Sequence, residues 1–290
     1  MAISSIAILG GDLRQCYTAE YLHNLGWKVV CYHTPDFPYP PGIIQEASLS
    51  EAVRQTNISL MPTPLSKDGT SLFQTDPEQP ACQLSELWEY SPPGQAVATY
   101  DIPKEGKRLL EQKGCPVFCY SQSETFRTEN ARLTAEGLLS ELIRNTPFSL
   151  SNCSILLLGY GYCGFAIASL LQPICRNIFV LEQEEEKQKL AETHGVCPIT
   201  PEDFPMILPQ CNIVINTIPS QLLSSAHLQK LPGTCHVFDI ASAPFGFRDC
   251  MTEETQIPYF RLPGIPGRYA PASSGQAIGK IIERMTDYVL

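Results

Sequence analysis

Runs of four or five apolar residues recur along the chain, each closed by glycine, proline or polar residues, with longer mixed segments between them. Short, nearly continuous apolar runs are how the strands of a parallel sheet read when both faces are covered. The pattern predicts strands over 5–9, 29–32, 58–61, 96–100 and 117–120, separated by helices over 16–25, 48–56 and 104–113. Gly26 and Gly114 close two of these helices in the position past the last turn that favours glycine. Residues 66–100 are rich in Pro, Gly and Ser, and predict an irregular loop with one short strand at its end. A helix over 130–145 follows, and Pro147 and Ser151-Asn152 lead from it into a second series. That series has strands over 155–158, 177–181, 212–216 and 237–240, with helices over 165–171 and 184–194. LPGIPG at 262–267 reads as a rigid loop, since proline fixes φ and glycine allows close approach. A terminal helix over 273–290 has Ser273 and Ser274 as candidate caps.

The second series opens on the most informative stretch, ILLLGYGYCG at 155–164. Here Gly159-x-Gly161-x-x-Gly164 lies between a strand and a helix. The first glycine permits the tight turn, the second lets backbone approach a pyrophosphate, and the third lets helix pack on strand. An anion would rest on free N–H groups at the helix N-terminus, where the dipole favours negative charge. The strand at 177–181 ends at Glu182, 23 positions after Gly159, where such a domain places the carboxylate that holds the adenosine ribose. The expected class is therefore α/β, an N-terminal α/β domain and a Rossmann-like nucleotide domain joined by a linker helix. The expected boundaries are 1–129 for an N-terminal α/β domain on the substrate side, 130–150 for the linker helix, 151–272 for the nucleotide domain and 273–290 for a C-terminal helix. A helix joining two such domains borders the cleft where a hinged dehydrogenase works.

Composition narrows the partners. With 20 basic and 30 acidic residues the net charge is −10, which argues against nucleic acid and against an anionic membrane surface. No apolar run approaches the roughly 20 residues needed to span a bilayer, and the N-terminus lacks a cationic leader region, so a cytoplasmic protein is expected. Twelve cysteines are scattered without a CxxC pair, most of them in apolar runs. They read as reduced thiols acting as small hydrophobes, and no metal site is expected.

The first strand ends in GGDLRQ, Gly10 to Gln15. This turn is not a dinucleotide fingerprint. It sets Asp12 and Arg14 at the C-terminal edge of a parallel sheet, where ligands bind, and a guanidinium there suits a carboxylate; an ordinary helix start reads equally well. Strand ends at Asn216-Thr217-Ile218-Pro219 and Asp239-Ile240-Ala241-Ser242 fall on the same edge as the glycine loop, so they should face the cofactor together with Tyr162, Cys163 and the Pro263-Gly264 turn.

Taken together, these motifs resemble the dipicolinate synthase A subunits of endospore-forming bacteria. The carrying residues are GGDxRQ, the N…TAEG of Asn130 and Thr134 to Gly137, LGYGYCG, INTIPS at 215–220, DIAS at 239–242, LPGIPG, and the Ala270-Pro271 and Gly275-Gln276 pairs. The resemblance runs from end to end in order. It implies α/β architecture with two Rossmann-like doubly wound parallel-sheet domains joined by a linker helix, oxidation of dihydrodipicolinate to pyridine-2,6-dicarboxylate, NAD or NADP as hydride acceptor, and work beside a flavoprotein-like B subunit in the mother cell during sporulation. Two positions depart from the family. Ala131 and Leu133 replace the Ser and Pro of a linker that usually reads NSxPTAEG. Where family members carry an Arg and serines suited to a 2′-phosphate, this chain has Leu181-Glu182-Gln183-Glu184. A carboxylate repels that phosphate, so NAD is expected over NADP.

For a dicarboxylate substrate the candidate clamps are Arg14 and Arg268, helped by Asn130 and Thr134, and the candidate bases are Asp12 and Glu136. Two other readings stay open. One is a dehydrogenase of a 2-hydroxy or 2-amino acid, but that chemistry wants a histidine base, and His23, His33, His194, His227 and His236 all fall outside the motif loops. The other is a non-catalytic dinucleotide sensor or scaffold protein. Whether the chain forms a homo-oligomer is not legible from sequence.

Overall fold

A computed structural model of the chain describes residues 4–246 and 256–289. The backbone divides into two compact units, one of 1–129 with 270–290, the other of 130–269.

In the first unit β1 (Ser5–Leu9), β2 (Lys28–Tyr32), β3 (Ile44–Glu46), β4 (Ile58–Leu60), β5 (Ala96–Thr99) and β6 (Val117–Cys119) form one parallel sheet in the order β3-β2-β1-β4-β5-β6. The interleaved helices are α1 (Leu13–Asn24), α2 (Leu49–Arg54), α3 (Leu84–Tyr90) and α4 (Lys104–Gln112). A long helix, α5 (Glu124–Asn145), then carries the chain into the second unit. It begins six residues before the predicted 130.

The second unit repeats the plan. Its strands are β7 (Ser154–Leu158), β8 (Asn177–Leu181), β9 (Cys197–Ile199), β10 (Ile213–Asn216), β11 (His236–Asp239) and β12 (Tyr259–Arg261), in the order β12-β11-β10-β7-β8-β9, again all parallel. Its helices among the described residues are α6 (Tyr162–Leu171), α7 (Glu185–Thr193), α8 (Phe204–Ile207), α9 (Ser225–Leu228) and α10 (Ile265–Tyr269), after which α11 (Pro271–Val289) returns to the first unit. Numbered within its own unit, each sheet runs 3-2-1-4-5-6. This is the doubly wound order in which the direction of winding reverses beside the first strand and opens a crevice at the strand C-termini. The central strands are buried on both faces, as their unbroken apolar runs require; Ile155 to Leu158 and Ile213 to Ile215 have no exposed surface.

Two expectations are corrected. The 262–267 segment is not a loop throughout, because Ile265 opens α10 and Pro266 sits in its first turn, where the missing N–H costs nothing. Nor do Ser273 and Ser274 cap the last helix: it starts at Pro271, and the Ser274 N–H already bonds to the Ala270 carbonyl at 2.9 Å. Within the first unit α11 lies against α1 at two glycines. A Cβ at Gly275 would meet the Arg14 carbonyl at 2.5 Å, and the Thr18 hydroxyl donates to the Gly275 carbonyl at 2.9 Å.

Candidate dinucleotide and substrate sites

The second unit presents an open glycine turn. β7 ends at Leu158, and Gly159 turns with φ +91°, where a side chain would be strained and would press on Thr217 and Ile218. A Cβ on Gly164 would run into the Gly159 carbonyl, so glycine there is what lets α6 start so close to β7. Gly161 is the N-cap of α6. No side chain caps this helix, and a Cβ at Gly161 would meet nothing within 4 Å. A helix N-terminus with no side-chain acceptor and open space before it fits a pyrophosphate. Tyr162, 43% exposed, opens the helix, and the half-buried Cys163 thiol is pushed up by burial.

Glu182 stands beside this turn. Its Oε2 accepts the Tyr160 N–H at 3.0 Å, and its Oε1 accepts those of Gln183 at 2.7 Å and Glu184 at 3.1 Å. Partial burial raises its pKa, but the three backbone donors and Lys187 outweigh that, and the carboxyl lies below the ordinary glutamate value.

Across the crevice, the Thr217 N–H and hydroxyl both donate to the Leu158 carbonyl, at 3.1 and 2.8 Å, which seats Thr217 and Ile218 on Gly159 and leads into Pro219. Asn216 and Asp239 are fully buried and bonded to each other at 2.9 Å. Ala241 donates its N–H to Asp239, and the Ser242 carbonyl accepts from Phe245. Pro263 and Gly264, the latter at φ +67°, lead from β12 into α10.

The corresponding turn of the first unit is closed by its own chain. Asp12 is the N-cap of α1, with Oδ1 accepting the Arg14 N–H at 3.0 Å and the Gln15 side chain accepting the Asp12 N–H at 3.2 Å. The carboxylate also holds the buried Arg14 guanidinium through Nε at 2.9 Å and Nη2 at 2.8 Å, and Nη2 donates as well to the Thr63 carbonyl. The Gly11 N–H gives its bond to the Phe73 carbonyl at 2.7 Å. A carboxylate capping this helix start and a carbonyl on the Gly11 N–H take up donors and set negative charge where a phosphate would approach.

The remaining candidates separate. The Thr134 hydroxyl donates to the Asn130 carbonyl at 2.7 Å, one turn back on α5. Glu136, on an exposed face, pairs with Arg132. Arg268, half exposed, faces the nearly buried Glu141 at 3.6 Å. Sequence reasoning missed Thr63, whose hydroxyl meets that of the fully buried Tyr120, and Tyr259, whose hydroxyl donates to Asp239. The prolines flanking Thr63 were the one signal for the first; nothing in the local sequence marks the second.

Among the described residues the cysteines are free, with burial pushing Cys31, Cys211 and Cys235 up to about 12. None of the described His, Cys, Asp and Glu residues group in threes to hold a metal ion, and no described helix is long and apolar enough to cross a membrane.

Fold and glycine turn together define an α/β protein of two Rossmann-like units, with an open glycine turn in the second. Residues 5–121 match the family described as the N-terminal domain of the dipicolinate synthase A subunit. Over 156 residues the chain is 26% identical to the dipicolinate synthase A subunit of Bacillus subtilis (strain 168); the match takes in 54% of this chain and spans about half, 52%, of the relative. The crystal structure of the dipicolinate synthase A subunit from Bacillus halodurans superposes with a TM-score of 0.86 at 19% identity, covering 97% of each chain. That of its Bacillus subtilis counterpart gives 0.86 at 18%, covering all of this chain and 97% of the other. At such identities the superpositions speak for the fold. The resemblance to dipicolinate synthase A subunits carried by the motifs is thus met by family match, sequence relative and architecture.

Proposed function

We propose that the chain is the A subunit of a dipicolinate synthase and oxidises dihydrodipicolinate to pyridine-2,6-dicarboxylate, with a nicotinamide dinucleotide as hydride acceptor. The observation that carries this is the uncapped N-terminus of α6 beside the pinned Glu182 carboxylate, in a chain whose residues 5–121 match that family. The second unit holds the dinucleotide: backbone N–H groups of the Gly161–Gly164 segment take the pyrophosphate, and Glu182 takes the adenosine ribose. Residues 217–219, 241–242 and 263–264 line the remainder. Glu182 selects NAD over NADP by repelling a 2′-phosphate. One dinucleotide binds per chain, because the first unit closes its own turn.

When bound, the dinucleotide accepts the hydride from a ring C–H, and loss of one proton balances the reaction. Aromatisation of the ring supplies driving force, so the work of the protein is positioning. Arg14 is assigned to a substrate carboxylate. Its Nε and Nη2 are engaged by Asp12 and Thr63, and Nη1, with no partner among the described residues, is the nitrogen it presents. Asp12 keeps that guanidinium aimed. On the second unit, Arg268 is assigned the part of a carboxylate-binding cation, and Asn130 and Thr134 that of neutral polar contacts. Asp12 and Glu136 are both paired with arginines, so the proton is assigned to solvent rather than to either of them. The protein works with a flavoprotein-like B subunit, in the mother-cell cytoplasm.

The test supplies purified protein with enzymatically generated dihydrodipicolinate and NAD or NADP, with and without the B subunit. Reduced nicotinamide and pyridine dicarboxylate should rise together, faster with NAD. Cofactor binding without product, partner present, would move the function to a sensor or to another substrate.

A further inference from the structure

The Asp239 carboxylate, fully buried at the end of β11, accepts four hydrogen bonds. Oδ1 takes Asn216 Nδ2 at 2.9 Å and the Ala241 N–H at 3.2 Å, and Oδ2 takes the Gly246 N–H at 2.8 Å and the Tyr259 hydroxyl at 2.9 Å. That satisfies a carboxylate. Asn216, equally buried at the end of β10, donates from the same Nδ2 to the Ile218 carbonyl at 3.0 Å and accepts the Ile218 N–H at 3.2 Å. The space above it admits only glycine, since a Cβ on Gly246 would collide with the Asn216 amide. One polar lattice thus ties the loop after β10, which carries Thr217 and Ile218 onto the glycine turn, to the loop after β11, which runs through Ala241 and Ser242 to Gly246. Burying a charge for stability alone gains little over apolar packing. A fully satisfied buried polar network instead fixes one arrangement of the chain.

In a doubly wound sheet the glycine turn and the acid after the second strand take the adenosine diphosphate half of a dinucleotide, and the strands across the switch point take the other mononucleotide. β10 and β11 are those strands. We infer that Asp239 is a positioning residue that, through Asn216, Gly246 and Tyr259, sets the two loops shaping the nicotinamide half of the crevice, and does so without touching the cofactor. This rests on the dinucleotide reading above.

The test titrates ADP and NAD separately into the full chain and its Asp239→Asn variant, with thermal melting alongside. Whichever way an amide at 239 faces, its N–H2 meets at least one N–H donor, of Asn216 and Ala241 on one side or of Gly246 on the other. Affinity for NAD should fall at least about tenfold, as when a buried charge-assisted hydrogen bond is broken, while affinity for ADP stays within about twofold. Tyr259→Phe removes one donor of the four and should shift NAD the same way, roughly threefold, with ADP unmoved; it decides the matter if Asp239→Asn fails to melt cooperatively. Equal weakening of ADP and NAD, or no change in either, overturns the inference. Wild-type protein that binds neither ligand overturns the dinucleotide reading, and this inference with it.

Discussion

Glu182 shows how much one side chain can decide. Its carboxylate is held by three backbone N–H groups, so under the proposed function it would meet a ribose without first having to be ordered. Glu182→Gln should lower kcat/KM for NAD about tenfold and narrow the preference over NADP, because an amide accepts fewer bonds and no longer repels phosphate. An unchanged ratio of the two cofactors would show that selectivity lies elsewhere. The same bonds give a pH signature. A carboxyl held below its ordinary value stabilises the fold fully above the unfolded pKa of about 4.3 and loses that contribution as pH falls through the lowered value. The difference in melting temperature between wild type and Glu182→Gln should therefore be constant near neutrality and close in acid. Asp12→Asn keeps an N-cap but breaks the fork on Arg14, and should cost about 2 kcal/mol in denaturant unfolding. That Glu182 stands beside the glycine turn was legible from its distance to Gly159 in the chain. The place of Tyr259 was not, because it meets Asp239 across two neighbouring strands and 20 positions of chain.

Among the elements, the glycine turn offers the clearest separation of stability from binding. Gly161→Ala places a methyl in open space at an ordinary φ, so melting should hardly move while NAD binding is lost as the pyrophosphate approach closes. Gly164→Ala drives a methyl into the Gly159 carbonyl and should cost roughly 1–3 kcal/mol as well as binding. Equal losses of stability in both would deny Gly161 its role. Long apolar strands announced themselves in sequence, whereas β3, β9 and β12 did not: each is three residues long, at or near a sheet edge and partly exposed, so no apolar run marks it. α1 and α6 begin three residues before their apolar runs suggested. Their first turns are set by Asp12 and Gln15 in one case and by the glycines in the other, not by burial. α3 was hidden in a Pro- and Ser-rich stretch, where its buried Leu84, Leu87 and Trp88 are too few to show a period.

At the scale of the whole molecule the chain builds one sheet plan twice and finishes the two first turns differently. Equal topology does not give equal chemistry: the first unit caps its helix start with Asp12 and covers Gly11 with Phe73, while the second leaves α6 uncapped and Gly161 open. Sequence already hinted at this, since GGDLRQ lacks the later glycine that lets a helix start close to its strand, but Phe73 lies more than sixty residues from Gly11 and its part emerges only from the fold. The most direct measurement is a calorimetric titration of NAD into wild-type protein and into Gly161→Ala. The structure predicts one site per chain in the wild type and none in the variant. Two sites, or a site that survives Gly161→Ala, would contradict it.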